Sequence, residues 1–348
     1  MSQFLSGAAI ANFAIRGNIG KGSERNTIMA KATKNKKLIA LTGATGFVGA
    51  HILDRALKEG HRVKAITRRP QQERSGLEWV AGDLHNKEAL KFITREADVL
   101  IHCAGIVKAR RVDEFHEVNT NTLAHILDLL AHRDQSAGDC HVIFVSSLTA
   151  KHPHISPYAR SKFNAEEILK ARGEKFPWTI VRPPAVYGPG DMEILKLFRA
   201  MKRGYAPVVG GVDKFFSLIH GRDLAAAILS ILVHKTAIHK TLEPDDQKKG
   251  GYTVHDVAEA AAAEFGRPVR PLAVPEAFLL TLAFANEVLA FATGKAPIFS
   301  RHKVREMAHP DWVCDPKSHK AISNWRPEIG LKEGVRETVH WYRERNLL

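Results

Sequence analysis

The sequence predicts an α/β protein built on a doubly wound parallel sheet, followed by a smaller C-terminal portion. Two observations carry this. Short apolar runs of strand length alternate with segments of helical spacing from Leu38 to about Val145. The stretch "LTGATGFVGA", residues 41–50, places Gly43, Gly46 and Gly49 between the first such run and the first such helix.

"KLIALTG" is a short apolar run, as expected of a strand buried on both faces. "FVGAHILDRALKEG" has helical spacing and stops at Gly60, and "HRVKAITR" is a second strand. Strand, glycine turn, helix and strand within about thirty residues form the context a dinucleotide needs. Its pyrophosphate would sit at the helix N-terminus, where free N–H groups and the helix dipole favour negative charge. Gly43 serves the tight turn, Gly46 the approach of backbone to phosphate, and Gly49 the packing of helix near strand. Thr45, Phe47 and Val48 complete the loop. "EWVAGDLHN", "ADVLIHCAGIV" and "HVIFVSSLTA" continue as strands, and "VDEFHEVNTNTLAHILDLLAHR" reads as a long amphipathic helix.

The end of the second strand distinguishes the dinucleotides. An acid there binds the ribose 2′-hydroxyl of NAD. Here Thr67 takes that place and Arg68 and Arg69 follow. Arginine pairs bidentately with a 2′-phosphate, which an acid would repel. NADP is therefore expected, with Arg68 ahead of Arg69 as the contact; NAD is the alternative, and a solvated basic loop the reading without a ligand.

"PYARSK", residues 157–162, holds Tyr158 and Lys162 at i and i+4, on one helical face. A phenol of pKa about 10 is a poor proton donor or acceptor at neutral pH, and a neighbouring ammonium lowers it. The pair follows "VSSLTA" at a strand end, where ligands collect in open α/β sheets. Ser147, ahead of Ser146, is placed to stabilise charge on the same oxygen.

These pieces together resemble an extended short-chain dehydrogenase/reductase of the epimerase/dehydratase superfamily. "TGATGFVG", "GDL", "HCAG", "VNTNT", "VSS", "YARSK", "RPPAVYGPGD" and "IHGRDLAAAI" run in family order from residue 42 to 227, and two C-terminal segments also match. The resemblance implies a Rossmann-type fold with a smaller substrate-binding domain. Tyr158 is then the catalytic acid/base, Lys162 its partner and Ser147 the oxyanion-side hydroxyl. Asn119 matches a helix asparagine used structurally and, in some members, in a proton relay. Asp83 and Leu84 match adenine-side contacts, Ala104 and Gly105 the loop passing the cofactor, and Pro183 and Pro184 the segment under the nicotinamide. Cys103 is expected to pack near the cofactor as a small hydrophobe. The expected organisation is a basic tail over 1–37, a nucleotide domain over 38–185 plus 217–235, and a substrate domain over 186–216 plus 236–348. Tyr187, Met192, Leu195, Phe215 and Phe216 are candidates to line the substrate pocket.

Three functions compete. The first is an NADPH-dependent ketone/alcohol oxidoreductase, similar to hydroxysteroid dehydrogenases and dihydroflavonol reductases. The second is a nucleotide-sugar epimerase or dehydratase with tightly held NAD. Against it stand the missing acid at Thr67 and the eleven positions separating Ser147 from Tyr158, since sugar-modifying relatives usually carry a longer loop. The third is a non-catalytic NADPH-binding scaffold or sensor, disfavoured because both Tyr158 and Lys162 are present.

Composition bounds the rest. With 45% hydrophobic and 25% charged residues, the 348-residue chain is ordinary for a globular protein. Cys103, Cys140 and Cys314 lie far apart, and the 18 histidines show no ligand spacing, so no disulfide framework and no metal are expected. The net charge of +14 is dispersed, without basic segments interleaved with aromatics, so nucleic acid is not an expected partner. "AFLLTLAFANEVLAFA", residues 277–292, is interrupted by Asn286 and Glu287; it reads as a largely buried helix, with a membrane surface or lipid-like substrate as the alternative and no integral span. Residues 1–37 carry Arg16, Lys21, Arg25, Lys31, Lys34, Lys36 and Lys37 against the single acid Glu24. They read as a transit peptide, a broken secretory signal, or an over-extended start ahead of Met29, and as disordered on any of these. A cytoplasmic location is expected, with an organelle matrix as the alternative. By family analogy a homodimer would form through helices near 115–131 and 157–172.

Overall fold

The computed structural model describes residues 36–348 apart from 135, 137, 295 and 298; the tail readings fall almost wholly on residues outside these. Seven strands form one sheet in which every adjacent pair is parallel: β1 (Leu38–Thr42), β2 (Arg62–Thr67), β3 (Leu77–Ala81), β4 (Val99–His102), β5 (His141–Val145), β6 (Trp178–Val181) and β11 (Lys240–Leu242). Their spatial order is β11-β6-β5-β4-β1-β2-β3. The direction of winding therefore reverses between β1 and β4, and a crevice opens beyond the C-terminal strand ends at that point.

Strand alternation explains why helices cover both faces. Ile39, Leu41, Val99 and Ile101 face one side, where α1 (Phe47–Lys58) and α6 (Gly221–Ser230) supply Ile52, Leu53, Leu224 and Ile228. Ala40, Leu100, Val142 and Phe144 face the other, against α2 (Lys87–Thr94), α3 and α4 (Pro157–Ala171). Helix α3 begins at Val112–Phe115, widens into a π-helical stretch at His116–Asn121, and resumes as Thr122–Ala131.

The remaining strands and helices are β7 (Ala185–Tyr187), α5 (Leu195–Lys202), β8 (Tyr205–Val209), β9 (Phe215–Phe216), β10 (Leu218–His220), α7 (Val254–Phe265), β12 (Arg270–Val274), α8 (Glu276–Thr293), α9 (Arg301–Ala308), β13 (Asp311–Trp312) and α10 (Leu331–Glu344). β7 pairs with β10, β8 with β12 and β9 with β13, all in parallel. α5, α7 and α10 enclose a further core around Phe198, Met201, Val257 and Val339.

Two expectations change here. Residues 240–242, assigned from sequence to the C-terminal portion, form the outer strand of the seven-stranded sheet, and Ile322 and Trp325 pack into that sheet's core. Helix α8 is not largely buried. Only Ala283 and Ala290 are, because the neighbouring α9 covers a single stripe of it.

Candidate active site

The glycine turn joins β1 to α1 beneath the crevice. Gly43 has φ +79°, and a Cβ there would lie 2.7 Å from the Ala104 nitrogen. A Cβ on Gly49 would lie 1.9 Å from the Gly43 carbonyl, so the helix can approach the turn only through a glycine. Gly46 is the N-cap of α1 and has no side chain to satisfy the first free N–H groups, and the first turn holds no acid. These are the features of an anion cradle, and they fit the pyrophosphate of a dinucleotide.

At the far end of β2, Thr67 is buried and its hydroxyl bonds the Arg69 carbonyl at 2.6 Å. That bond turns the chain outwards. Arg68 and Arg69 are exposed, have no ion-pair partner among the described residues, and line a hollow of about 750 Å³ with Ala81 and Gly82. Asp83 sits beside it and accepts from the His85 nitrogen at 2.8 Å and the Asn86 nitrogen at 3.1 Å, fixing the entry to α2. Leu84 is half-buried there.

The loop after β4 carries Cys103, Ala104 and Gly105. Asn119 holds this loop from the π-helical stretch, whose extra residue per turn aims the side chain sideways. Its Oδ1 accepts from the Ile106 nitrogen at 2.8 Å, and its Nδ2 donates to the Ile106 carbonyl and to Ser161 Oγ, each at 3.0 Å. Asn119 is fully buried with these partners, which places it as a positioning residue between the loop and α4. A Cβ on Gly105 would lie 2.9 Å from Asn119 Oδ1 and 3.2 Å from Lys162 Nζ, so glycine is what admits both side chains. Burial pushes the Cys103 thiol up to about 11, leaving it neutral near pH 7.

Tyr158 and Lys162 stand on the first turns of α4. Ser156 caps the helix by accepting from the Ala159 nitrogen at 3.0 Å, and Pro157 occupies its first position. Lys162 Nζ is buried, donates to the Val145 carbonyl at 2.9 Å and lies 4.9 Å from the Phe144 ring centroid. Burial pushes its pKa down to about 8, opposed by Cys103 and Glu166. The Tyr158 phenol is held well above its ordinary range by burial; its interaction with Ser147 opposes this, and Glu306 adds to it. Ser147 Oγ accepts from Thr149 Oγ1 at 2.9 Å and lines the cleft beside Tyr158. Ser146 is different: it is buried and donates to Glu166 Oε1 at 2.5 Å, while Arg182 clasps the same carboxylate. The Pro183 carbonyl accepts from the Leu148 nitrogen at 2.9 Å, tying the ends of β5 and β6 together beside Pro184.

Tyr158, Ser147, Pro183, Pro184 and Phe47 all open onto a cleft of about 1050 Å³. Phe215 and Phe216 line it, as the sequence suggests. Tyr187 and Leu195 do not. Both are buried in the core between β7, α5 and α10, and the Tyr187 ring packs edge-on to His220. Met192 is half-exposed and lies outside the cleft lining.

Some participants carry no sequence signal. Glu306 on α9 is buried and accepts from Ser156 Oγ at 2.5 Å, beside the start of α4. Phe115 stands edge-on to Tyr158 with ring centroids 6.3 Å apart. Lys108 bridges the cleft to Glu193 at 2.5 Å. Each belongs to a segment without a motif and meets the site only through the tertiary fold.

Residues 39–242 match the model of the NAD dependent epimerase/dehydratase family. The chain belongs to that family. Its enzymes work on small molecules with a nicotinamide dinucleotide. The chain is 33% identical to the ceramide reductase of Caulobacter vibrioides over 90% of its own length and 96% of the relative's. It is 25% identical to the UDP-glucose 4-epimerase of Vibrio cholerae, over 90% and 98% respectively. Among solved structures, the UDP-glucuronic acid 4-epimerase of Bacillus cereus in complex with NAD shares the fold with a TM-score of 0.68. The two are 16% identical, with 88% of this chain and 96% of that one aligned.

Proposed function

We propose that this family member is an NADP(H)-dependent oxidoreductase that interconverts a ketone and a secondary alcohol on a long-chain, largely apolar substrate. The observation that carries the reading is the pairing of two features: Arg68 and Arg69 stand unpaired where an NAD site places an acid, and Tyr158 opens onto a roomy cleft whose wall continues into the exposed apolar helix α8. The likeness to a ceramide reductase over nearly the whole chain supports it.

The nicotinamide, when bound, supplies or accepts the hydride. The chain's own residues handle the proton and the charge. In the reductive direction Tyr158 gives its phenolic proton to the carbonyl oxygen, and Ser147 Oγ donates a hydrogen bond to that oxygen as charge develops. The phenol's raised pKa keeps it protonated but makes it a weaker acid, so the transfer depends on stabilising the phenolate. Lys162, once a ribose hydroxyl is offered to it, places positive charge near the phenolate that remains and lowers its cost. The proline pair and Phe47 present an apolar wall to that face of the cleft.

A second reading is favoured by different residues. Arg110, Arg111, Lys214 and Arg301 also line the cleft and could pair with a nucleotide diphosphate, as a sugar epimerase requires. Assays with NADPH and long-chain ketones, beside NAD and UDP-sugars, separate the two. Tyr158→Phe should lower ketone reduction about 10²–10⁴-fold without weakening nucleotide binding. Epimerised UDP-sugar with no ketone reduction would reverse the assignment.

A further inference from the structure

Helix α8 is apolar around its whole circumference, yet the fold covers only one stripe of it. Phe278 and Leu289 are each 62% exposed and Phe291 91%, with Leu282, Phe284 and Val288 exposed between them. Its polar side chains do not soften this surface. Thr281 and Thr293 donate to carbonyls of their own helix, Ala277 and Leu289, at 3.0 and 2.9 Å. Asn286 Oδ1 accepts from the Phe299 nitrogen at 3.1 Å, and Glu287 accepts from the Arg301 nitrogen and guanidinium, each at 2.8 Å.

A basic fringe borders this surface. The Arg301 guanidinium lies 5.2 Å from the Phe284 ring centroid. Arg305 follows one turn later on α9. Arg110 reaches the far end of α8, where a Cβ on Gly294 would be 3.2 Å from its Nη2. Arg110 and Arg305 have no ion-pair partner among the described residues. Phe291 belongs both to this surface and to the lining of the Tyr158 cleft, and the buried Ala290 lines the cleft behind it.

We propose that α8 docks this enzyme on an anionic phospholipid bilayer, lying in the plane of the interface with the cleft mouth at the membrane. Eighteen residues could cross a bilayer core by length, about 27 Å of helix. But β12, paired with β8, holds one end, and α9, packed on the same strand, holds the other. Tied at both ends to one body, the helix can sink its apolar side into the headgroup boundary but cannot thread across it. The arginines then meet lipid phosphates, each worth roughly 1 kcal/mol near an anionic surface. A second copy of the chain is a poorer occupant, because a two-fold contact through α8 would set the arginine fringe against itself. Bilayer binding is read without turnover, so it holds or fails whichever substrate the cleft takes.

The test is flotation of the full-length protein with vesicles of phosphatidylcholine alone and of phosphatidylcholine with phosphatidylglycerol. The wild type should float with the phosphatidylglycerol vesicles and bind phosphatidylcholine about tenfold more weakly. The combined variant Phe278→Ser, Leu282→Ser, Leu289→Ser should lose vesicle binding about tenfold or more, with NADPH affinity unchanged. Undiminished binding by that variant would assign attachment to the basic N-terminal residues and overturn the proposal. So would a wild-type dimer that ignores vesicles and is broken by the same substitutions. If the variant fails to fold, hydrogen exchange on the wild type decides: protection by vesicles confined to 276–294 supports the proposal, and protection elsewhere refutes it.

Discussion

The ammonium of Lys162 donates to the carbonyl oxygen of Val145 across 2.9 Å, binding the helix that carries Tyr158 to the last residue of β5. This bond ties together the two segments that carry Tyr158 and Ser147, because Ser147 follows β5 by two residues.

The buried ammonium titrates near pH 8. Only its protonated form can donate to ribose hydroxyls and balance phosphate charge. NADPH affinity is therefore expected to fall as pH rises through about 8, by up to about tenfold per pH unit. Fluorescence titration between pH 7 and 9 measures this. Lys162→Met should bind weakly at every pH and show no such slope; an unchanged slope in the variant would assign it to another group.

The glycine turn makes two unequal demands. A Cβ on Gly49 would sit 1.9 Å from the Gly43 carbonyl, whereas one on Gly46 would meet the same carbonyl at 3.3 Å. Gly49→Ala is expected to destabilise the fold by about 1–3 kcal/mol or more and to abolish nucleotide binding. Gly46→Ala should keep near-normal stability and lose mainly affinity. Urea unfolding beside nucleotide titration distinguishes the two patterns.

Glu166 is fully buried and accepts from Ser146 Oγ, Arg182 Nε and Arg182 Nη2. Removing it leaves the largely buried Arg182 guanidinium with the more distant Glu243 in place of a bidentate partner. Glu166→Ala should cost about 3–5 kcal/mol. Arg182 also approaches Glu243 at 3.7 Å, so Glu243→Ala offers a milder comparison by the same unfolding measurement.

Three histidines are held neutral. Burial, helped by the Lys162 charge, pushes His102 down to about 3. Burial likewise takes His220 to about 3 and His141 to about 4. Below their ordinary value near 6.5 the unfolded chain binds protons that the folded chain does not. Stability is therefore complete above about pH 6.5 and is lost as pH falls towards the folded values. Each histidine contributes up to about 1.4 kcal/mol per pH unit in that window. Urea midpoints from pH 7.5 to 5 should drop steeply, and His141→Gln should flatten the slope by about one histidine's share.

Much of this was legible in the chain itself. Five of the sheet's seven strands, the glycine turn, Arg68 beyond β2 and the Tyr158–Lys162 spacing are local patterns, set by periodicities of two and 3.6 and by glycine's backbone freedom. Local pattern also ranked Ser147 ahead of Ser146, and the fold shows why: one side chain faces the cleft and the other faces Glu166. Local pattern could not say which apolar residues become core. Tyr187 and Phe215 look alike as candidate pocket residues, and only the packing of α10 on β7 buries the first while the second stays at the cleft.

The sequence by itself determined five strands of the sheet, the glycine turn and the Tyr158–Lys162 spacing, because each is written within a few neighbouring residues. The tertiary structure decided the rest. It brought Glu306 to Ser156 across 150 positions, turned Asn119 into a strut through a π-helical stretch, placed 240–242 in the nucleotide sheet, and left α8 uncovered beside the cleft. Burial and long-range approach depend on what packs against a segment, and a segment's own residues do not specify its neighbours.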